Sequence, residues 1–156
     1  KVFNRQIYNF MSFALDEANS AFSKDEIPVG AIIVKNDVII GRGYNKVETN
    51  KNPLHHAEII AIEQACLTIS DKYLNNCDIY VTLEPCVMCI GAILNSRIQN
   101  LYFGAFQPKF GACGSMFNIP DLHKTNHFVN VYSGILEDES EKLLKEYFIK
   151  VRQINR

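Results

Sequence analysis

No stretch of this 156-residue chain approaches the roughly 18 consecutive apolar residues that cross a bilayer as a helix, so no membrane span is expected. Internal repeats, low-complexity tracts and linker-like runs are also missing. No domain boundary is therefore placed, and residues 1–156 are expected to form a single domain of ordinary size. A strong charge of either sign is lacking too: the net charge is −1 and the pI is near 6.5. That excludes a globally basic nucleic-acid binder and leaves room for a local basic patch. The opening, KVFNRQIYNFMSFALDEA, is amphipathic and carries Asp16 and Glu17, unlike a secretory signal. Lys1 stands first rather than Met, so native residues upstream are expected.

Hydrophobic residues make up 47% of the chain and charged residues 21%, which predicts a folded core rather than disorder. The five cysteines are an odd number, and two of them form a C-x-x-C pair. An intracellular, reduced protein with metal-binding or catalytic cysteines fits this better than a disulfide framework, and the expected location is cytoplasmic.

Ile7, Phe10, Met11, Ala14, Leu15, Ala18 and Phe22 recur at helical spacing and mark an amphipathic first helix. Val29–Val34 and Val38–Ile40 flank Asn36-Asp37 and predict a β-hairpin. A largely buried helix is expected from His56 to about Cys66. A strand follows over Ile79–Leu83, then a helix opened by Pro85 in its first turn and ending near Ser96. Further strands are expected over Asn100–Phe103 and Val129–Val131, with Gly104–Ser115 as loop. A last helix spans roughly Glu137–Gln153, acidic at its start and basic at its end, as the helix dipole favours. The order predicts an α/β fold whose sheet opens with an antiparallel hairpin and continues through crossovers.

The chemistry gathers in His56-Ala57-Glu58 and Pro85-Cys86-Val87-Met88-Cys89. Residues three apart share a helix face, so Cys86 and Cys89 can reach one ion. A helix N-terminus there stabilises the thiolate that binds metal. Two thiolates are too few for zinc, whose structural sites use four protein ligands and whose catalytic sites use three plus water; His56 supplies the third. Glu58 lies about 200° around a regular helix from His56. His56 is therefore expected at or before the helix start, leaving Glu58 to act as general acid and base beside the metal. Two other readings of the cysteines are a thioredoxin-like redox pair and a structural zinc site. The latter needs a fourth ligand from Cys66, Cys77, Cys113, His55, His123 or His127.

The signature H-x-E…P-C-x-x-C resembles that of the zinc nucleobase deaminases. Much of the remaining chain is similar to the bacterial tRNA adenosine deaminase (TadA) family. The matching segments include Ile27-Pro28-Val29-Gly30-Ala31, Gly43-Tyr44-Asn45, the run from Tyr80 to Cys89, Ser96-Arg97-Ile98 and Phe103-Gly104-Ala105. They continue through Lys109, Gly111-Ala112, Gly114-Ser115 and Asn126-His127 into the helix from Leu143 to Gln153. The resemblance implies a cytidine deaminase-like three-layer α/β/α fold with a mixed five-stranded sheet, one Zn2+ per subunit and a homodimer. It also implies deamination of adenosine to inosine at the wobble position of a tRNA anticodon stem-loop, by a zinc-bound hydroxide with Glu58 as proton shuttle. The target base would be flipped out of the loop.

By the same resemblance, Asn45 hydrogen-bonds the target nucleoside and Ala57 packs against its base; as a plain turn residue, Asn45 would end a strand. Tyr147 and Phe148 match positions beside the neighbouring nucleotides, and would also serve as ordinary core. Lys109, Lys150 and Arg152 could neutralise phosphates or simply face solvent. The chain departs from the family pattern at Leu54 and His55, where small residues are usual and where His55 is expected at the surface. It departs again at Phe106 and Gln107, which replace a charged pair in a loop expected to meet the anticodon backbone. That replacement favours the alternative substrate class, free nucleobases or nucleosides of cytosine or guanine type.

Overall fold

The computed structural model describes residues 2–156. Helix α1 (Arg5–Ser23) starts at Asn4, whose side chain accepts from the Ile7 N–H, an N-cap that satisfies one of the orphan donors of the first turn. Strands β1 (Gly30–Lys35) and β2 (Val38–Tyr44) pair antiparallel around Asn36 and Asp37. Both turn residues have positive φ, 49° and 63°, the conformation that suits the twist of a two-residue hairpin. Then come α2 (Val47–Asn50), α3 (Ala57–Ile69), β3 (Cys77–Leu83), α4 (Val87–Asn95) and β4 (Asn100–Ala105). A 3₁₀ turn (Ile119–Leu122), β5 (Asn130–Tyr132) and α5 (Glu137–Ile154) complete the order.

The five strands form one mixed sheet in the order β2-β1-β3-β4-β5. β1 pairs antiparallel with β2 and β3, while β3–β4 and β4–β5 are parallel. Side chains alternate across the sheet. Ala31, Ile33, Ile79, Val81, Leu101 and Phe103 pack towards Ala57, Ala61, Ala65, Ile90 and Ile93 of α3 and α4. On the opposite face Ile32, Val34 and Tyr80 pack with Met11 and Ala14 of α1 and with Ile135, just ahead of α5. Tyr80, Tyr102 and Tyr132 are register partners there, their rings stacked 4.6 and 5.0 Å apart; such cross-strand pairs hold register. The result is the mixed five-stranded, three-layer α/β/α arrangement expected from the sequence.

Several boundaries differ. Pro85 lies outside α4 rather than in its first turn, and Cys86 is the cap residue. The Pro85 carbonyl instead accepts from the Ala112 N–H, tying the strand end to a later loop. Gly104 and Ala105 belong to β4, and the last strand is shifted by one residue. α2 and the 3₁₀ turn, four residues each, are too short to leave a periodic signal.

Gly41 and Gly43, on one face of β2, let α3 lie directly on the sheet. A Cβ at Gly43 would stand 2.5 Å from the Ala57 carbonyl oxygen, and one at Gly41 would stand 2.4 Å from that of Ala61. These contacts are with backbone, which cannot swing aside, and they set the height of the α3 start above the sheet. Gly43→Ala should therefore cost at least ~2 kcal/mol, read as a lower urea midpoint at unchanged m. An unchanged midpoint would mean that α3 is free to lift away.

Candidate active site

Two helix beginnings converge over the sheet. His56 is the cap residue of α3, with extended backbone (φ −69°, ψ 158°), and Cys86 is the cap residue of α4 in the same conformation (φ −77°, ψ 178°). Cys89 follows within the first turn of α4, buried. The Nδ1 atom of His56 lies 3.7 Å from Sγ of Cys86 and 3.5 Å from Sγ of Cys89. All three ligand atoms fall within 4.8 Å of one another and could hold a metal ion. No fourth His, Cys, Asp or Glu joins this cluster among the described residues, so a four-ligand structural site is not assembled.

Glu58, second residue of α3, is 4% exposed. Burial pushes its carboxyl above the usual range, and the neighbouring Cys86 adds to this, although His56 opposes it. The two thiols are driven apart. A hydrogen bond from Cys89, aided by His56, pulls Cys86 down to about 4. Donation to Cys86, burial and the nearby Glu58 raise Cys89. The hydrogen bond to Cys86 also raises His56, against the opposing effect of its burial. Two acidic thiols and a carboxyl in one low-dielectric corner cannot all ionise unless a cation joins them.

Cys89 is fully buried, while His56 and Cys86 line a cavity of about 460 Å³. Ile27, Val29, Leu83, Phe110, Leu144 and Phe148 give it apolar walls, while Asn45, Ala57, Glu58, Glu84 and Gln107 complete the lining. A broad depression beside Ile62, Cys66 and Leu67 shares no residue with it. The Asn45 side chain accepts from the Val47 N–H at 3.2 Å and donates to the Ile27 carbonyl at 3.3 Å, so Asn45 builds a turn and still lines the cavity. Ala57 occupies the first helical position, where the N–H has no partner within the helix.

The other residues singled out in the sequence are dispersed. Phe148 lines the cavity, but its neighbour Tyr147 turns away: its hydroxyl donates to the Asp25 carbonyl and its ring meets Phe22 edge-on. Lys150 pairs with Asp25 at 2.8 Å over the Phe22 ring. Lys109 is exposed and does not line the cavity. Arg152 lies in a shallow groove with Lys145 and Ile149, and that groove shares Leu144 and Phe148 with the cavity wall. His55, expected at the surface, is half-buried, its ring nitrogens 2.9 and 3.2 Å from the side-chain amides of Asn50 and Asn52. Leu54 donates to Oδ1 of Asn52 at 2.9 Å, which directs the Asn52 NH₂ at His55. Sequence reasoning gave no role to Glu84, Phe110 or Leu144. The one available signal was a carboxylate, Glu84, at the end of an otherwise apolar strand.

Residues 4–152 match the family model of the MafB19-like deaminases. The chain is 49% identical to the tRNA-specific adenosine deaminase of Aquifex aeolicus (strain VF5), over 92% of this chain and 94% of that protein. It is 40% identical to the tRNA-specific adenosine deaminase of Bacillus subtilis (strain 168), over 92% and 89% respectively. A structure solved in studies of A-to-I editing by tRNA:A34 deaminases at the wobble position of transfer RNA superposes with a TM-score of 0.84 at 42% identity, covering 87% of this chain and 99% of that one. The guanine deaminase of Nitrosomonas europaea superposes with a TM-score of 0.79 at 25% identity, covering 90% and 83%.

Protons on Cys89 and His56, both held more tightly than usual, compete with a metal for the same atoms. Metal affinity should accordingly be weaker at about pH 5.5 than at about pH 7.5, with net proton release on binding. Competition against a chromophoric chelator at the two pH values checks this. Equal affinity at both would mean that these atoms are not the ligands.

Proposed function

Because the chain belongs to the MafB19-like deaminases, and within them to the tRNA-specific adenosine deaminase family, we propose that it converts adenosine to inosine at the wobble position of a tRNA anticodon, with one zinc ion per subunit. Support for zinc comes from the ligand spacing. Bonds of about 2.3 Å to sulfur and 2.05 Å to nitrogen, in tetrahedral geometry, give a sulfur–nitrogen edge of about 3.6 Å. The observed edges are 3.7 and 3.5 Å.

When bound by His56, Cys86 and Cys89, zinc supplies Lewis acidity that brings the pKa of a water molecule from 15.7 towards about 7. The chain's own residues do the rest. Glu58 is buried beside the ligands and holds a proton more tightly than an ordinary carboxyl, which suits a group that must both take and give one near neutral pH. It takes a proton from water as the water oxygen bonds to C6, and passes that proton to the adenine ring nitrogen. It then delivers the water's second proton to the exocyclic amine; the C6–N bond breaks, ammonia leaves and the C6 carbonyl remains. Asn45 and the free N–H of Ala57 hold the base, while Val29, Leu83 and Phe148 exclude solvent from it.

The observation that carries the tRNA reading is the groove along α5. It shares Leu144 and Phe148 with the cavity wall and is lined also by Lys145 and Arg152, which offer cations to a nucleic-acid backbone beside a flipped base. Lys109 is assigned to the same backbone from the outer loop, and Tyr147 supports the α5 wall from behind. Deamination of a free base is the second reading. It is favoured by the likeness to guanine deaminase and by Gln107 in the wall, where a charged residue is usual in the family. We also infer a homodimer, supported by an open groove along α4 where Val87, Gly91, Leu94 and Ile119 stand beside the polar Asn95, Lys124, Thr125, Asn126 and His127, and checked by sedimentation velocity. No helix among the described residues is long and apolar enough to cross a membrane, and the proposed place of action is the cytoplasm, in one deaminase domain over residues 1–156.

The zinc-loaded chain should form inosine in transcribed tRNA and leave free adenosine, cytosine and guanine unchanged. Glu58→Gln should lower that rate at least ~10²-fold with zinc content intact. Turnover of guanine with untouched tRNA would replace the first reading with the second, and full activity of Glu58→Gln would remove Glu58 from the reaction.

A further inference from the structure

Glu84 is a second buried carboxylate at this site, 3% exposed, and the chemistry above does not use it. It forms no ion pair among the described residues. Instead its oxygens are filled by donors from one loop. Oε1 accepts from the Gln107 N–H at 3.1 Å and from the Ser115 hydroxyl in a short contact, and Oε2 accepts from the N–H groups of Cys113 and Ser115, both at 3.0 Å. Three of the four contacts are backbone N–H groups, obligate donors that fix the loop's main chain to the carboxylate.

The loop gathered in this way is not remote. Gln107 and Phe110 wall the cavity. Gly111 forms a β-bridge with the metal-ligand candidate Cys86, and Ala112 donates to the Pro85 carbonyl at 2.8 Å. Gly111 itself makes way for the carboxylate, since a Cβ there would lie 2.4 Å from the Glu84 carboxyl carbon. On the other side Glu84 leads directly into Pro85 and Cys86. One carboxylate thus joins the strand end that delivers a ligand to the loop that borders the substrate.

We propose that Glu84 is a positioning residue, whose buried carboxylate holds the 107–115 loop in register with Cys86 and thereby sets the wall against which the nucleoside is seated. The proposal rests on the deaminase reading above but not on its choice of substrate. Phe110 and Gln107 line the cavity without belonging to the metal-ligand cluster, so loosening the loop should weaken substrate binding more than the chemical step.

The test uses the zinc-loaded protein and three variants. Glu84→Gln turns an NH₂ towards at least one backbone N–H whichever way the amide lies. It should raise KM about tenfold and lower kcat less than about threefold, with zinc content unchanged and faster amide exchange at Gln107, Cys113 and Ser115. Glu84→Asp, which keeps the acceptor charge, should recover part of the KM loss. Gly111→Ala, whose Cβ would meet the Glu84 carboxylate first, should reproduce the Glu84→Gln effect and not add to it in the double variant. Should Glu84→Gln fail to fold, Ser115→Ala carries the test, with a smaller rise in KM in support and an unchanged KM against. A loss confined to kcat, a loss of zinc, or exchange at the three amides that matches wild type would overturn the proposal. If wild type leaves tRNA untouched but deaminates guanine, only the substrate choice fails, and the same comparison is made on guanine.

Discussion

The convergence of two helix N-termini on one point governs this structure. α3 and α4 lie on the same face of the sheet and begin beside each other, so the unpaired N–H groups of both first turns point into a common corner. Into that corner the chain places an imidazole, two thiols and a carboxyl. The helix ends make the anionic forms tolerable but do not neutralise them. Cys86 is held near 4 while Cys89 is driven upward, because a second thiolate beside the first has no counter-charge. A dication would supply that charge, and the imidazole would complete a donor set of the softness that zinc accepts. The fold's contribution is to keep the four groups in place before any ion arrives. The backbone contacts of Gly41 and Gly43 with α3 matter for that reason, since they fix one of the two helix ends relative to the sheet.

What the sequence made legible follows from this. Spacing within a motif reports local geometry, and local geometry decides the ligands. Cys86 and Cys89 had to share a side of a helix start, and the two-residue step from His56 to Glu58 required a break in helical phase between them. The extended backbone of His56 is that break. The hairpin was equally local, written in Asn36-Asp37. Contacts that close over long separations were not legible. Glu84 meets donors 23 to 31 residues away, and no pattern around Glu84 names them. Pro85 fitted a helix first turn by propensity and lies outside it, because its carbonyl is engaged by Ala112 from the far loop.

Neighbouring residues on α5 show the same limit from another side. Tyr147 and Phe148 were indistinguishable as sequence, both aromatic and both at positions matched to substrate neighbours. One residue along a helix is a turn of about 100°, and here that turn separates a cavity wall from a packing contact with Phe22. Lys150 and Arg152 divide similarly: the first is held by Asp25, whereas the second lies in the groove beside the cavity. A count of basic residues near the C-terminus therefore overstates the charge available to a polyanion. What remains is local, since Lys145 and Arg152 flank Phe148 on either side along α5 and line one groove with it.

The two carboxylates of the site show how burial alone leaves a role undecided. Glu58 and Glu84 are almost equally hidden, 4% and 3% exposed, yet their surroundings assign opposite tasks. Four hydrogen bonds occupy the oxygens of Glu84, and all of them come from the 107–115 loop. A group engaged in that way is suited to fixing geometry. Glu58 sits among acidic neighbours, with burial as the dominant influence, and its affinity for a proton is raised. It can therefore change state without unmaking the fold around it. Donor saturation, rather than depth, separates the carboxylate proposed to position from the one proposed to react.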